Sequence, residues 1–364
     1  MHLLIILVSV YMVFLLYVIT PSIKSHGIQS QKSESQSISL VIPFKDEERN
    51  LPNLIDSILE QDIFCMSVEF IFVDDHSTDA SQSLIRKIQD VRLISAIDHG
   101  KKNAIRQGVQ AARFDWILTL DADVCLSPNF FQELANVSFE NRQMLLFSMR
   151  PIRRRGFISA FFDLEFLALQ GVGIGMAEKN RPLLSNGACL LFKKEAFFMA
   201  DKQRNDYAIP TGDDIFGMFA IIKEYGKKSI GTASWVAPVN TLFPSNFFRL
   251  FAQRARWISK TTNVDDFQYQ FVAILMAIIH LLPVLLMMGS FGGVFSWYTV
   301  LPVIFIKLAS EWFFFWHLTT QYHRGDLLFW LPLTQLLYPF YIFILIAYGL
   351  RYRLQFFKPS LDAV

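Results

Sequence analysis

The stretch Trp116-Ile117-Leu118-Thr119-Leu120-Asp121-Ala122-Asp123-Val124 places two carboxylates directly after a short, largely apolar run. A run of this kind predicts a buried β-strand. Placing carboxylates at the end of such a strand costs free energy unless a partner binds them. Asp121 and Asp123 therefore predict a site for a cation or for hydrogen-bond donors.

Similar apolar runs recur along the middle of the chain, each followed by a polar turn. The first four predicted strands are followed by helix-like stretches that open near Asn50, Asp79, Lys101 and Pro128. Nearly continuous apolar strands separated by helices predict an α/β fold with a mostly parallel, doubly wound sheet. Ligands of such sheets bind beyond the carboxyl ends of the strands. The predicted strands are Ile38–Phe44, Val68–Val73, Val91–Ala96, Trp116–Leu120 and Met144–Met149.

Acidic clusters follow three of these strands. The first strand leads into residues 43–50, which contain Asp46, Glu47 and Glu48, and the second ends in Asp74-Asp75-His76-Ser77-Thr78-Asp79. Carboxylates that converge on one edge repel each other. A hard divalent ion, completed by substrate phosphates, would resolve this repulsion. Helix capping is the alternative for any single cluster, and it is the preferred interpretation for Asp79 but not for the Asp-Ala-Asp pair.

Composition excludes some classes of protein. The formal net charge is +2 over 364 residues, and no basic run alternates with aromatic residues, so no nucleic-acid partner is expected. The three cysteines, Cys65, Cys125 and Cys189, are an odd and widely spaced set. This pattern disfavours a disulfide framework and favours a reducing compartment.

The apolar residues concentrate at the two ends of the chain. Leu3–Ile19 is uncharged and lacks a preceding basic residue, which favours an uncleaved membrane anchor over a signal peptide. Beyond residue 270, three further spans are predicted. Lys307 and Glu311 in the second of them are spaced to pair on one helical face. The predicted spans are Phe271–Met288, about Val294–Leu318, and Leu327–Leu350.

Topology is only partly indicated by the basic residues. Lys24 and Lys32 follow the anchor, which places the middle of the chain in the cytoplasm. Four spans would then leave the basic tail, which contains Arg351, Arg353 and Lys358, on the other side. The positive-inside tendency favours the tail inside, so either one segment does not cross or the tendency fails here.

In their order along the chain, these clusters resemble the nucleotide-sugar-binding domain, the GT-A fold, of the family 2 glycosyltransferases. The matching motifs are the Pro-x-x-(Asn/Asp)-Glu-Glu turn at Pro43–Glu48, the Asp-Asp-x-Ser-x-Asp run at Asp74–Asp79, the Gly-Lys pair at Gly100-Lys101, and Asp-x-Asp at Asp121–Asp123. By this resemblance the donor-binding residues are Pro43, Glu47, Asp75, Lys102, Asp121 and Asp123.

The resemblance also implies individual roles within that donor set. Asp75 would contact the uracil or ribose, and Asp121 the nucleoside side of the donor. Asp123, with Asp121, would hold a Mg²⁺ or Mn²⁺ ion that bridges the diphosphate. Either Lys101 or Lys102 can align with the family's lysine.

Two further stretches match the acceptor half of the family's site. Asn186 and Gly187 lie in Ser185–Ala188, which matches an Asn-Gly-rich segment near the acceptor pocket and equally fits a simple turn before a strand. Pro210–Gly217 contains the acidic pair whose second member, Asp214, would be the catalytic base, with Asp213 as its support. Capping of a helix at Ile215–Glu224 by Thr211 or Asp213 is compatible with that role.

The segment Gln253-Arg254-Ala255-Arg256-Trp257 resembles the Gln-x-x-Arg-Trp motif of the membrane-integrated branch of the family. Helical spacing places Gln253, Arg256 and Trp257 on one face. By resemblance Arg256 has a catalytic role in steadying the diphosphate, and Trp257 stacks near the acceptor. A membrane-interface anchor would also use Arg and Trp.

The predicted organisation follows from these segments. Residues 1–21 form a transmembrane anchor, 22–37 a linker, 38–265 the GT-A domain, 266–350 a C-terminal transmembrane region, and 351–364 a basic tail. The resemblance implies an integral protein of the bacterial inner membrane, with a cytoplasmic catalytic domain.

The implied reaction is inverting transfer of a sugar from a nucleotide-diphosphate donor, most simply a UDP-sugar, to a lipid or lipid-linked glycan. A processive polysaccharide synthase and a non-catalytic membrane scaffold are the alternatives.

Overall fold

The computed structural model forms two compact units. The sheet unit comprises Pro21–Ile152 and Val172–Leu242, and the helical unit comprises Met1–Thr20, Arg153–Gly171 and Phe243–Val364. The predicted boundaries in chain order stay a prediction. The residues that the structure describes are 2–20, 36–63, 65–203, 213–233, 236, 238–243, 247–261 and 264–356. Residues 22–35 of the predicted linker and 357–364 of the predicted tail fall outside them, and the last residue of that linker, Ser37, is the first residue of β1.

A seven-stranded sheet in the order β3-β2-β1-β4-β8-β6-β9 is the centre of the sheet unit. Strands β1 to β4 are parallel to one another, as predicted, whereas β8 runs antiparallel to both β4 and β6. The strands are β1 Ser37–Phe44, β2 Ser67–Asp74, β3 Val91–Ser95, β4 Trp116–Leu120, β6 Met144–Leu146, β8 Cys189–Lys193 and β9 Ile230–Thr232.

The predicted strand Met144–Met149 is wrong as a single element. Its first part is β6, which pairs with β8, while β7, Met149–Pro151, joins a separate three-stranded sheet with β5, Val124–Cys125, and β10, Val239–Thr241. Every residue from 144 to 149 is buried. An uninterrupted apolar pattern therefore cannot show that the chain passes from one sheet to another.

Helices connect the strands of the sheet unit and begin close to the predicted positions. Helix α4 packs closely on β1 and β2, since a Cβ atom built on Gly108 would lie 2.4 Å from Cγ1 of Val41 and 3.0 Å from Cγ2 of Val73. This close packing fixes α4, whose first residue is Lys101, beside the carboxyl ends of the strands. The helices are α2 Leu51–Leu59, α3 Ser81–Ile85, α4 Lys101–Ala111, α5 Phe130–Leu134, α7 Lys194–Gln203 and α8 Asp213–Tyr225.

The helical unit contains long apolar helices. Among the described residues, four segments are long and apolar enough to cross a membrane, namely Phe157–Glu178, Phe267–Phe291, Trp297–Gln321 and Gly325–Tyr348, and a shorter apolar helix covers Leu4–Ile19. The first of these belongs to the helical unit only up to Gly171. Helices of this length and composition fit a membrane protein. The helices are α1 His2–Ile19, α6 Phe157–Glu178, α9 Phe247–Thr261, α10 Phe267–Phe291, α11 Trp297–Gln321 and α12 Leu331–Phe356.

The three predicted C-terminal spans are confirmed as long apolar helices, with shifted ends. Helix α12 continues to Phe356, so the first residues of the predicted tail are helical. Sequence analysis missed α6, because Asp163 and Glu165 interrupt its apolar pattern. In the structure both of these side chains are buried. The predicted pair in α11 is confirmed, with Lys307 Nζ 2.8 Å from Oε1 of Glu311.

Candidate active site

Hydrogen bonds join the loops that follow β1 and β2. Oε2 of Glu48 accepts the amide of Ala80 at 3.1 Å, and Oδ2 of Asp79 accepts the amide of Glu48 at 3.0 Å. Oδ1 of Asp79 accepts the amide of Ser81, the first residue of α3, at 2.9 Å. Desolvation raises the pKa of Asp79, but hydrogen bonds to Ser81 outweigh it and lower that pKa. These carboxylates therefore organise backbone, as expected for Asp79.

Glu47 directly precedes Glu48 in the same loop, but its side chain has different neighbours. Its amide donates to Oγ of Ser81 at 2.9 Å, and its Oε2 accepts Nδ2 of Asn50 at 2.7 Å. Burial raises the pKa of Glu47; the bond to Asn50 opposes this shift, and the charge of Asp121 adds to it. Glu47 is thus an electrostatic neighbour of the Asp-Ala-Asp pair. Pro43, also predicted in the donor set, is buried within β1.

Lys101 forms an ion pair at the end of β4. Its Nζ lies 2.5 Å from Oδ1 of Asp121, whose own amide donates to the carbonyl of Ala188 at 3.0 Å. Burial lowers the pKa of Lys101, but Asp121, Asp123 and Asp214 outweigh burial and raise it. Lys101, one of the two lysines that the sequence leaves open, thus contacts Asp121 through its ammonium group. Lys102 is half-buried one position further along α4.

Asp123 carries the most perturbed carboxyl of this group. Burial and then the charge of Asp121 raise its pKa from 3.8 to about 7, against the opposing charge of Lys101. Glu47 raises it further. A carboxyl that is costly to ionise without a cation, beside other oxygen ligands, fits a hard divalent ion such as Mg²⁺ or Mn²⁺.

The turn before β8 contacts the predicted catalytic base. Asp214, at the start of α8, accepts the amide of Gly187 through Oδ2 at 3.2 Å. A Cβ atom on Gly187 would lie 3.3 Å from Cβ of Asp214, so a larger residue would crowd this contact. Asn186 accepts the amide of Ala188 through Oδ1 at 3.0 Å and shapes the turn. The segment is therefore a turn, and it also contacts Asp214. The side chain of Asp213 and all of Thr211 fall outside the described part of the chain.

Two histidines, which sequence analysis did not use, surround Asp75. Oδ1 of Asp75 accepts the amide of Gly100 at 2.8 Å, and Nδ1 of His76 lies 3.4 Å from the same oxygen. The rings of His76 and His99 stack with centroids 3.8 Å apart. One potential ligand atom from each of these three residues lies within 4.8 Å of the others. The sequence did contain a clue, because His76 lies within the Asp74–Asp79 motif and His99 directly precedes the Gly100-Lys101 pair.

The Gln-Arg-Ala-Arg-Trp segment lies on α9 of the helical unit. The side chain of Gln253 accepts a hydrogen bond from Nη1 of Arg254 at 3.2 Å, and the Arg254 guanidinium lies 4.2 Å from the ring centroid of Trp257. The side chain of Arg256 is not among those that the structure describes. Sequence analysis gave Arg254 no role.

Comparison with protein families gives two overlapping matches. Residues 39–163 match the model described as Glycosyl transferase family 2. Residues 116–354, more than half of the chain, match the model described as Glycosyl transferase family group 2. The first match contains the Asp-Ala-Asp pair, and the second extends through the C-terminal helices.

Curated relatives match part of the chain. An undecaprenyl-phosphate 4-deoxy-4-formamido-L-arabinose transferase of Aeromonas hydrophila is 31% identical over 110 residues, which are 28% of this chain and 34% of the relative. A 4,4'-diaponeurosporenoate glycosyltransferase of Staphylococcus haemolyticus is 26% identical over 182 residues, which are 47% of this chain and 48% of the relative. The matched region thus spans a third to a half of the length of these relatives.

Among solved structures, a mannosyltransferase of Pyrobaculum calidifontis in complex with GDP-Man and Mn²⁺ has a similar fold. Its TM-score is 0.54 at 14% identity, and the match covers 92% of this chain and 95% of that protein. At this identity the similarity establishes a shared fold.

Proposed function

Because the chain belongs to the family 2 glycosyltransferases, we propose that it transfers a sugar from a nucleotide-diphosphate donor to an acceptor held at a membrane. The observation that carries this proposal is the cluster in which Lys101, Asp121 and Asp123 meet at the carboxyl edge of the sheet, within electrostatic reach of Asp214. A UDP-sugar is the donor we favour.

Donor binding follows from the charges of this cluster. Asp123 and Asp121 would hold Mg²⁺ or Mn²⁺, which would neutralise charge on the donor diphosphate. The mannosyltransferase with the similar fold was solved with Mn²⁺ and GDP-Man. Lys101 supplies a positive charge for the same phosphates, and Asp75 accepts a hydrogen bond from the nucleoside. In this assignment Lys101 takes the role that the resemblance gave to Lys102.

Asp214 is the proposed general base. The hydrogen bond from Gly187 orients its carboxylate, and a carboxylate fixed in this way can take a proton from an acceptor hydroxyl as the hydroxyl attacks the anomeric carbon. Attack on the face opposite the leaving diphosphate inverts the configuration. Asp213 would support this loop. Gln253, Arg256 and Trp257 would bind the diphosphate and the acceptor.

The apolar helices and the relatives' names support a lipid acceptor. The two relatives are named for undecaprenyl phosphate and for 4,4'-diaponeurosporenoate, which are long apolar molecules. An enzyme with membrane-spanning helices is suited to such acceptors. The proposed location is a bacterial inner membrane, with the sheet unit in the cytoplasm, where nucleotide sugars are made.

The test uses the purified full chain in detergent with Mn²⁺, a panel of UDP- and GDP-sugars, and two synthetic lipid acceptors. One is a polyprenol, whose hydroxyl needs a general base, and the other is a polyprenyl phosphate, whose attacking oxygen is already ionised at neutral pH. We expect one donor to release its nucleoside diphosphate and to give a single-sugar lipid product. Long glycan products would instead indicate a processive synthase. Absence of both donor binding and nucleotide release across the panel would indicate a non-catalytic scaffold.

A matched pair of variants tests the metal site. Asp123→Ala should abolish Mn²⁺-dependent UDP binding in calorimetry. Asp115 is an exposed aspartate that directly precedes the first residue of β4, at the end of the strand remote from Asp123. Asp115→Ala should therefore leave UDP binding unchanged. Equal UDP affinity in the two variants would contradict the assignment of Asp123.

A further inference from the structure

Arg254 is a buried arginine inside the Gln-Arg-Ala-Arg-Trp segment. Its side chain is only 2% exposed, and its Nε lies 2.7 Å from Oε2 of Glu165 on α6. Arginine is almost never fully buried unless a charged partner compensates it. A buried charge pair is not by itself strong evidence of stabilisation, because desolvation offsets much of the attraction. Stabilisation alone therefore does not account for this ion pair, so the positions of the side chains around it matter.

The pair is held from a third helix. The second oxygen of Glu165, Oε1, accepts the hydroxyl of Tyr341 on α12 at 2.9 Å. Glu165 and Tyr341 are both buried. One carboxylate thus joins α6, α9 and α12, and it leaves the Arg254 guanidinium little freedom to move.

From this fixed position Arg254 contacts two motif side chains. Its Nη1 donates to Oε1 of Gln253 at 3.2 Å, and its guanidinium lies 4.2 Å from the Trp257 ring centroid. The second contact is within the range of a cation–π interaction, about 6 Å. A planar guanidinium can make an ion pair, a side-chain hydrogen bond and a ring contact together, whereas a lysine ammonium is a single point charge.

We propose that Arg254, anchored by Glu165, is a positioning residue that holds Gln253 and Trp257 in the orientation that acceptor binding requires. This inference rests on the proposed function, in which those two side chains belong to the acceptor half of the site. In this proposal Arg254 does not act on donor or acceptor directly. Its effect is transmitted through its two neighbours, and small misplacements of such groups can reduce rates by about 10²-fold.

The main test is Arg254→Lys, which keeps a charge near Glu165 but loses the planar contacts. With a synthetic polyprenyl phosphate as acceptor, we expect kcat/KM for the acceptor to fall by about 10- to 100-fold. The Kd for UDP and the Tm should stay near those of the parent. Arg249→Lys, an exposed arginine on the same helix, is the control and should behave like the parent.

A second readout does not require activity. Arg254→Lys should change the tryptophan emission of the parent protein, and the same substitution in a Trp257→Phe background should not. An equal change in both backgrounds would overturn the proposal, because Trp257 would then not be the residue that moves. If no donor is turned over, the proposed function fails, while this fluorescence comparison still decides whether Arg254 positions Trp257.

Parent-like acceptor kinetics in a folded Arg254→Lys variant would also overturn the positioning role. If Arg254→Lys does not fold, Tyr341→Phe replaces it, since it removes only the hydroxyl that holds Glu165. The expected effect is a smaller loss in the same direction. Parent-like acceptor kinetics in Tyr341→Phe would then overturn the proposal.

Discussion

Several aspartates follow strands at the same edge of the sheet. Their roles differ because different hydrogen-bond donors contact their carboxylates. Both oxygens of Asp79 accept backbone amides, and the hydrogen bonds lower its pKa. Asp121 instead accepts the ammonium of Lys101. Asp123 is placed where burial and Asp121 make its ionised form costly. The chemistry of this edge of the sheet is therefore decided by which donors reach each carboxylate.

Asp214→Asn should retain donor binding and lose transfer. Asparagine is nearly isosteric with aspartate and can still accept the Gly187 amide, but it cannot take a proton at neutral pH. General base catalysis contributes about 10²–10⁴-fold, so kcat should fall at least in that range. Calorimetry with UDP and a transfer assay with a hydroxyl-bearing lipid acceptor measure the two effects separately.

Asp213→Asn is the companion variant and should remain active. If Asp213→Asn is inactive while Asp214→Asn transfers sugar, Asp213 is the general base. Near-parental rates in both variants would place the base elsewhere.

Lys101→Ala should weaken donor binding more than Lys102→Ala. A hydrogen bond to a charged group contributes about 1.5–3 kcal/mol, which corresponds to about 10- to 100-fold in Kd for UDP. The ammonium of Lys101 contacts Oδ1 of Asp121 directly. The measurement is UDP titration with Mn²⁺ present, and a larger loss in Lys102→Ala would restore the assignment that the sequence resemblance favoured.

At the scale of elements, a buried polar cluster joins three apolar helices. Glu311 on α11 accepts the hydroxyl of Tyr11 on α1 at 2.9 Å and Nε2 of Gln335 on α12 at 3.1 Å, besides the ammonium of Lys307. Lys307 and Glu311 are each 3% exposed. Ionisable groups are tolerated in such helices when they pair internally, so this cluster fixes the register of the bundle.

Glu311→Ala should therefore destabilise the helical unit. Removing one partner of a buried ion pair leaves the other charge uncompensated and costs about 3–5 kcal/mol. The measurement is the Tm of the purified protein in detergent. Ser310→Ala, one position earlier and with a hydroxyl that donates to the carbonyl of Ile306 in its own helix, is the control, for which a change within about 0.5 kcal/mol is expected. A Tm of Glu311→Ala equal to that of the control would contradict a stabilising role.

At the scale of the molecule, the cysteines offer a test of membrane orientation. Cys65 is exposed, and Cys189 is buried in β8. Burial, with the charge of Asp121, raises the pKa of Cys189 well above its ordinary value. A raised pKa leaves less reactive thiolate at neutral pH, so Cys189 should stay unlabelled in the folded protein. Cys65 is thus the useful reporter for the sheet unit.

If the sheet unit is cytoplasmic, a membrane-impermeant thiol reagent should not label Cys65 in intact cells and should label it after permeabilisation. Partial desolvation, with the charge of Asp62, raises the pKa of the exposed Cys65, so labelling of permeabilised cells should increase as the pH rises through the alkaline range. Cys65→Ser should remove most of the signal, since Cys125 is half-buried and burial raises the pKa of its thiol. Labelling of Cys65 in intact cells would reverse the proposed orientation.

The sequence by itself determined what depends on local pattern. The apolar runs of β1 to β4 and the helix starts after them were predictable because burial on both faces leaves a nearly continuous apolar strand. The same pattern placed the Asp-Ala-Asp pair at a strand end, where parallel strands bind their ligands. The pairing of Lys307 with Glu311 followed from helical spacing alone.

The tertiary structure decided what depends on contacts between distant residues. Arg254 and Glu165 are 89 positions apart, and no local spacing connects them. The division of residues 144–151 between two sheets depends on hydrogen bonding to β8 and β10. The ion pair between Lys101 and Asp121 joins residues 20 positions apart and depends on how α4 packs on the sheet. In each case the deciding interaction is a long-range one, and a local pattern contains no record of it.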